Sequence, residues 1–444
     1  MRPLPLALSL LITAAANAQT IASYKYDPFA IRTGSTTPST LEVEVTGTPT
    51  SVRIDLLTGD TLNLTPSGAN RWRVSVPAAQ LLAGYGPNKV NHNFVGFVRV
   101  TGGPNGNITS TLNSSIQVFD GSVTIPPIVQ KDPGARSSPR ILNLYRPNLG
   151  VTDISSAVKG FYSYYKDDFD FVRVVFMLPS YARGIYSPYH MIVRNDVQGV
   201  GLLSMNETAS YGSAGKLKGV TVYPVDNYID CAESAFSHEI GHQWMNYLRN
   251  QSLTAASPHW PASTMARGIM GMAIIPPTGA GGPFSYNLEM VTSTTAHVTQ
   301  VSAGLLQEFT DLDLYLMGFL PAESVSPVIV VQWTVACRDC IMPASVMTIQ
   351  DVIAANGPRV PDWKAAQKSF RIGTVVITRD RLLNDDEMAI LEYFAARGES
   401  TQSLPYTSGL ATGIAKPFSV ATRGMGTVDL RLEQPPPKHR SAKH

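Results

Sequence analysis

Charged residues are scarce in this chain of 444 residues. Lys and Arg contribute 35 residues and Asp and Glu 33, together 15% of the sequence, against roughly 25% in an average soluble protein. The chain is 44% hydrophobic with a formal net charge of +2, so it can bury large cores and is not a disordered polyelectrolyte. The positive excess lies at the two ends, in residues 1–18 and in the basic, Pro-rich tail 433–444. No cluster of Lys and Arg elsewhere offers a surface for nucleic acid, and we expect no such partner.

Cysteine is also rare, with three residues in the whole chain: Cys231, Cys337 and Cys340. A zinc site made of cysteines would need a second CxxC pair beside Cys337 and Cys340, and the sequence has none. We therefore expect one disulfide bond and one free thiol. The sequence does not assign the pairing.

No stretch after residue 18 has the 18 or more consecutive apolar residues that cross a membrane as a helix. Residues 1–18 do have an apolar run, which follows Arg2 and ends in Ala-Asn-Ala at Ala18. A basic start, a short apolar run and a small-x-small end are typical of a cleaved secretory signal. We expect a secreted protein, extracellular or periplasmic, that begins at Gln19 and has no transmembrane segment.

In residues 19–124, apolar and polar residues alternate in short runs separated by turn residues. Leu41, Val43 and Val45, for example, alternate with polar neighbours. Such runs recur about every ten residues, which is typical of an antiparallel sandwich. The sequence therefore predicts an N-terminal Ig-like β-sandwich, followed by a Pro-rich linker over residues 125–140.

Residues 141–432 carry a mixed pattern of helix and strand and are predicted to form a second domain. Apolar residues with helical spacing occupy residues 154–165, and an acidic first turn opens another helix at 385–397. Strand-like runs lie at residues 171–178, 190–194 and 219–223. The predicted fold class of the whole chain is α+β.

A helix predicted over residues 230–249 carries the sequence His238-Glu239-Ile240-Gly241-His242. At 100° per residue the two histidines lie about 40° apart and one turn apart, so both imidazoles can bind one Zn²⁺. Glu239 then lies beside the metal, where a general base would be needed. Asp230 and Glu233 form a capping-box-like start to this helix.

The segment Phe236–Trp244 resembles the zincin metallopeptidases, whose motif is HExxH. The resemblance implies that His238 and His242 bind zinc and that Glu239 is the general base. It also implies a zincin-like fold for residues 141–432, where the order of helices and strands is similar.

Two positions depart from one subgroup of that family. Metzincins would have glycine and histidine where this chain has Met245 and Leu248. The chain is thus more similar to gluzincins, whose third zinc ligand is a glutamate on a later helix. No acidic residue occurs from Gln243 to Asn287. The remaining candidates for the third ligand are His259, Glu289, Glu308, Asp311 and Asp313.

A helical wheel ranks the acids in a helix predicted over residues 303–320. Asp313 falls inside the apolar arc, where a buried carboxylate needs a compensating partner such as zinc. It is the first choice for the third ligand, although it could instead be salt-bridged in the core or cap the helix. His259, at loop distance from His242, is the second choice. Tyr315 is a candidate hydrogen-bond donor to the oxyanion, with a packed core residue as its alternative.

These residues predict a secreted zinc endopeptidase that acts on protein or peptide substrates. One alternative is a catalytically inactive fold kept for binding or adhesion. The other is a zinc hydrolase that acts on cell-wall peptides or other amides.

Overall fold

The structure is a computed structural model, and the described residues form two compact units. The described residues are 19–86, 89–102, 105–177, 188–230, 232–271, 285–301, 308–332, 339–405 and 414–433. One unit consists of residues 19–29, Gly34–Tyr85 and Asn93–Ile116, and the other of Ala30–Thr33, Gly86–His92 and the described residues from Gln117 onward. The predicted signal, Cys231, Cys337 and all of the predicted tail except Glu433 lie outside the described residues, as do the side chains of Asp230 and Glu233.

Strands and helices are numbered along the chain. The strands are β1 (Thr20–Asp27), β2 (Ala30–Arg32), β3 (Ser39–Thr46), β4 (Ser51–Leu56), β5 (Thr61–Asn63), β6 (Thr65–Gly68), β7 (Arg71–Val76), β8 (Val90–Gly102), β9 (Asn107–Phe119), β10 (Val129–Asp132), β11 (Ala135–Ser137), β12 (Leu142–Tyr145), β13 (Phe171–Phe176), β14 (Tyr189–Ile192), β15 (Arg194–Asn195), β16 (Met205–Asn206), β17 (Gly219–Pro224), β18 (Ser285–Thr292), β19 (Thr295–Val301), β20 (Val328–Val331), β21 (Asp339–Met347), β22 (Ser369–Thr378), β23 (Leu404–Pro405), β24 (Ile414–Ala415) and β25 (Thr427–Asp429). The helices are α1 (Ala78–Leu81), α2 (Ile154–Tyr162), α3 (Val225–Asp230), α4 (Ala232–Gly241), α5 (Gln251–Thr254), α6 (Asp311–Met317), α7 (Ile349–Asn356), α8 (Asp385–Gly398) and α9 (Phe418–Ala421).

The N-terminal strands form two sheets. One has the order β1-β3-β7-β6, and the other has the order β2-β9-β8-β4-β5. In β4, Val52, Ile54 and Leu56 are buried while the residues between them are partly exposed. Successive side chains of a strand point to opposite faces, so this alternation fixes which face turns inward.

An eight-stranded sheet organises the second unit. Its order is β10-β11-β12-β22-β13-β17-β14, and β25 pairs with β22. The neighbours β12, β22, β13 and β17 run parallel, whereas β14 is antiparallel and lies at the edge. Every residue of β13 and β17 is buried, as expected for parallel strands that are covered on both faces.

Helices pack on the two faces of this sheet. On one face, Phe161 of α2 belongs to the same buried cluster as Val172 and Val174 of β13. On the other face, the ring of Trp244, just after α4, lies 6.1 Å from the ring of Phe171. The alternation of side chains in β13 thus places α4, with its HExxH motif, on the face opposite α2.

The predicted fold class, α+β with an Ig-like sandwich followed by a zincin-like domain, is wrong. Strands make up 39% of the described residues and helices 19%, and the strands are distributed over several sheets. A further antiparallel sheet has the order β18-β19-β21-β20, and no strand was predicted at β18, β19 or β21. The segment 125–140, predicted as a linker, contributes β10 and β11 to the eight-stranded sheet.

The helix predicted over residues 303–320 is shorter in the structure. Thr310 caps α6, because its side chain accepts a hydrogen bond from the Asp313 N–H while the Asp313 carboxylate accepts from the Thr310 N–H. The helix ends at Met317 and is capped by Gly318, whose φ of +81° favours glycine. Local capping therefore sets both ends of the helix inside the longer apolar pattern.

The described residues include no helix that is both long and apolar enough to cross a lipid bilayer.

Candidate metal centre

Helix α4 presents His238 and Glu239 on its last turn. The neighbouring side chains Phe236 and Ile240 are buried in the core, and they fix the rotation of the helix. After Gly241 the backbone tightens, since the N–H of His242 donates to the carbonyl of Glu239 at 3.2 Å. The helix predicted to extend to Arg249 therefore ends earlier.

Three histidines converge at this point. The Nε2 atom of His238 lies 3.2 Å from Nε2 of His242 and 3.2 Å from Nε2 of His259. One nitrogen from each residue lies within 4.8 Å of the other two, so the group could hold a metal ion. Nitrogen ligands at tetrahedral zinc lie about 3.3 Å apart, given the usual metal–nitrogen distance. The two distances of 3.2 Å from Nε2 of His238, to Nε2 of His242 and to Nε2 of His259, fit such a centre.

Electrostatics keep these imidazoles in the form that binds metals. Burial, with a smaller contribution from neighbouring histidines, lowers the pKa of His238 to about 4 and that of His242 to about 2. Burial also lowers the pKa of His259. Because all three values lie below the ordinary 6.5, the rings are neutral at pH 7 and need to release no proton on binding a cation.

The orientation of His238 is fixed by a backbone carbonyl. Its Nδ1 atom lies 2.7 Å from the carbonyl oxygen of Ile269, which can only accept, so Nδ1 carries the hydrogen. The lone pair is then on Nε2, the atom that faces His242 and His259. This arrangement of ligand and outer partner is typical of metal-binding histidines.

Glu239 is a buried carboxylate without a complete set of partners. Its side chain is 6% exposed, and Oε2 has no hydrogen-bond partner among the described residues. Burial raises its pKa to about 8. A buried polar atom of this kind needs an explanation such as a bound cation or a reacting group.

The structure places the two candidates for the third ligand differently. His259 joins the cluster, although it comes from the irregular segment after α5. Asp313, the first choice, is fully buried as the helical wheel indicates, but its oxygens bind elsewhere. Oδ1 accepts from the indole N–H of Trp260 at 2.6 Å, and Oδ2 accepts from the N–H and the hydroxyl of Thr310, both at 2.8 Å. Its compensating partners are hydrogen-bond donors.

Tyr315 packs in the core. Its side chain is 5% exposed, and its hydroxyl accepts a hydrogen bond from the backbone N–H of Arg359 at 3.1 Å. This agrees with the alternative prediction for Tyr315, a packed core residue, and not with a hydrogen-bond donor to the oxyanion. The structure does not bring Tyr315 into the histidine cluster as a hydrogen-bond partner.

Sequence reasoning missed a link between the motif and the edge strand. Nε2 of His190, in β14, lies 3.0 Å from Oε1 of Gln243, and Nε2 of Gln243 donates to the carbonyl of Arg194 at 2.9 Å. His190 also lowers the pKa of the neighbouring His242. The residue after the second motif histidine thus fastens the metal-binding segment to β14, and no local pattern indicates a contact over such a distance in sequence.

Cys340, in β21, is disulfide-bonded. The other two cysteines lie outside the described residues.

Comparison with models of known protein families gives no match, and comparison with curated proteins gives none. Two solved structures of the plexin A4 extracellular region, with domains 1 to 8 and 1 to 10, are 11% identical to this chain. Each match covers 74% of this chain, but 36% and 31% of the plexin chains, at a TM-score of 0.17. The chain thus spans about a third of the plexin chains that it matches, and a likeness at this TM-score supports no argument about fold or function.

Proposed function

We propose that the chain is an exported zinc-dependent hydrolase that cleaves peptide bonds in proteins. The observation that carries this proposal is the pairing of a three-histidine cluster with a buried glutamate. His238, His242 and His259 supply the three protein ligands that a catalytic zinc normally has. Glu239, next to His238, supplies a carboxylate whose Oε2 has no partner among the described residues. The likeness of Phe236–Trp244 to the zincin motif supports the same reaction.

A zinc ion bound at this centre would supply a Lewis acid and would lower the pKa of a nearby water molecule toward about 7. The chain's own residues do the rest. The imidazoles of His238, His242 and His259 stay neutral and hold the ion. Burial alone raises the pKa of Glu239 to about 8, and a cation held by the neighbouring histidines would lower it, so that the ionised carboxylate would take a proton from the attacking water and later give it to the leaving amine.

The substrate would bind as an extended peptide along β14. This strand is at the edge of the eight-stranded sheet, whereas β17 is paired on both sides by β13 and β14. Among the described strands, β17 is the only one that pairs with β14, so its other side is where a peptide would add as a further strand. The link from His190 through Gln243 to Arg194 keeps this edge close to the metal-binding segment.

The nature of the substrate can be tested with the purified, zinc-loaded chain. We expect acid-soluble peptides to be released from casein and no solubilisation of peptidoglycan. Solubilised peptidoglycan with intact casein would favour a hydrolase of cell-wall peptides. A chain that binds zinc but hydrolyses neither would overturn the proposed activity and favour a binding or adhesion module.

Export is part of the proposal and rests on residues 1–18. When the full gene product is expressed in a bacterium, we expect the chain to leave the cytoplasm and the mature form to begin at Gln19. N-terminal sequencing of the exported chain checks this. A chain that stays in the cytoplasm with Met1 in place would contradict it.

A further inference from the structure

Of the three histidines, only His259 comes from outside the HExxH segment. His238 and His242 are one turn apart on a single stretch of backbone, which fixes their separation. His259 lies in an irregular segment after α5, and its backbone N–H donates to the carbonyl of Ala256 at 3.0 Å. Contacts within this segment must therefore fix the position of His259, because metal affinity depends on how well the ligands are preorganised.

The residue next to His259 is Trp260, which is fully buried. Its indole N–H donates to Oδ1 of Asp313 at 2.6 Å. Its backbone N–H donates to the carbonyl of Met270 at 3.2 Å. Trp260 therefore connects the neighbouring His259 both to α6, through Asp313, and to the far end of the irregular segment, at Met270.

That far end is also involved in the metal centre. The carbonyl of Ile269 accepts a hydrogen bond from Nδ1 of His238. The backbone N–H of Ile269 donates to the carbonyl of Glu308 at 2.9 Å. Glu308 lies just before α6, and Asp313 lies in its first turn. The start of α6 thus holds both ends of the segment, the end that carries His259 and the end that orients His238.

Asp313 is itself rigidly held. Both the N–H and the hydroxyl of Thr310 donate to Oδ2 at 2.8 Å, which leaves Oδ1 for Trp260. Hydrogen bonds to a carboxylate are the strong ones, and a buried indole N–H without a partner is costly. The position of Trp260, and with it that of His259, is coupled to this one carboxylate.

We propose that Asp313 is a positioning residue, which sets the place of the metal ligand His259 through the indole of Trp260. This inference rests on the proposed metal centre. It gives the fully buried carboxylate of Asp313 a role at the metal without direct binding. Outer partners of metal ligands typically change metal affinity by about 10–100-fold.

The chain offers a matched control for the structural part of this role. Thr348 and Asp351 make the same capping box at the start of α7 as Thr310 and Asp313 make at α6. Asp351 is exposed at the surface. Asp351→Ala removes a capping box without touching the tryptophan contact.

The test measures the zinc dissociation constant of the full chain by competition with a chromophoric chelator. We expect Asp313→Ala and Trp260→Phe to raise it by about 10–100-fold and Asp351→Ala to leave it within about twofold of the original. Asp313→Asn keeps one acceptor oxygen for Trp260 but places an amide NH2 group against the Thr310 N–H, so we expect its affinity to lie between that of Asp313→Ala and that of the original chain. The visible spectrum of the Co²⁺-loaded chain should change in Asp313→Ala and Trp260→Phe only, because it reports ligand geometry and not stability.

Folded Trp260→Phe with unchanged zinc affinity and an unchanged cobalt spectrum would overturn the positioning role, even if Asp313→Ala fails to fold. If the original chain binds no zinc, the metal centre itself fails. The two failures are therefore distinguishable.

Discussion

Glu239→Gln is expected to lower the rate of casein hydrolysis by a factor of about 10²–10⁴, while the chain keeps its zinc ion. Glutamine has nearly the same shape as glutamate but cannot take a proton from water. The side chain is not a member of the histidine cluster, so its loss leaves the three ligands in place. The measurement is the initial rate of peptide release, with the metal content of the same sample determined in parallel.

Glu289→Gln is the matched control. Glu289 lies exposed in β18, and the same chemical change there should leave both the hydrolysis rate and the zinc content unchanged. Full activity in Glu239→Gln would rule out the proposed general base. Loss of zinc together with activity would instead show that Glu239 helps to hold the metal.

Helical spacing made part of the centre predictable. His238 and His242 are four residues apart, and the geometry of one helical turn brings them together whatever the surrounding fold. The same local argument gave the burial of Asp313, which is fully buried in the structure. Local spacing does not identify the partner of a buried group. The donor to Asp313 is Trp260, and their contact depends on how the segment after α5 folds against α6.

The fold was harder to predict from the sequence for the same reason. β13, β14 and β17 overlap the runs predicted at residues 171–178, 190–194 and 219–223, because each is a short segment rich in apolar residues. β22 inserts between β12 and β13 although it follows both in the chain, and pairing of this kind leaves no local signature. β19 alternates only small apolar residues with polar ones, a pattern that also occurs in loops.

His259→Ala is expected to weaken zinc binding by more than about 100-fold, beyond the range typical of outer partners. The change removes one of three ligands and leaves His238 and His242 to hold the ion with extra water. Because ligands that bind the folded chain raise its stability, zinc should increase the thermal midpoint of the original chain much more than that of the variant. Chelator competition and thermal unfolding with and without zinc are the measurements.

His297→Ala provides the control, since His297 lies in β19 and pairs with the exposed Asp339. It should leave zinc binding unchanged. The size of the effect in His259→Ala separates two kinds of centre. A loss no greater than that in Trp260→Phe would mean that His259 only adjoins the ion, and the reaction would then lack the third protein ligand on which its mechanism depends. A much larger loss, with hydrolysis falling in proportion to zinc content, is the outcome that a three-histidine catalytic centre requires.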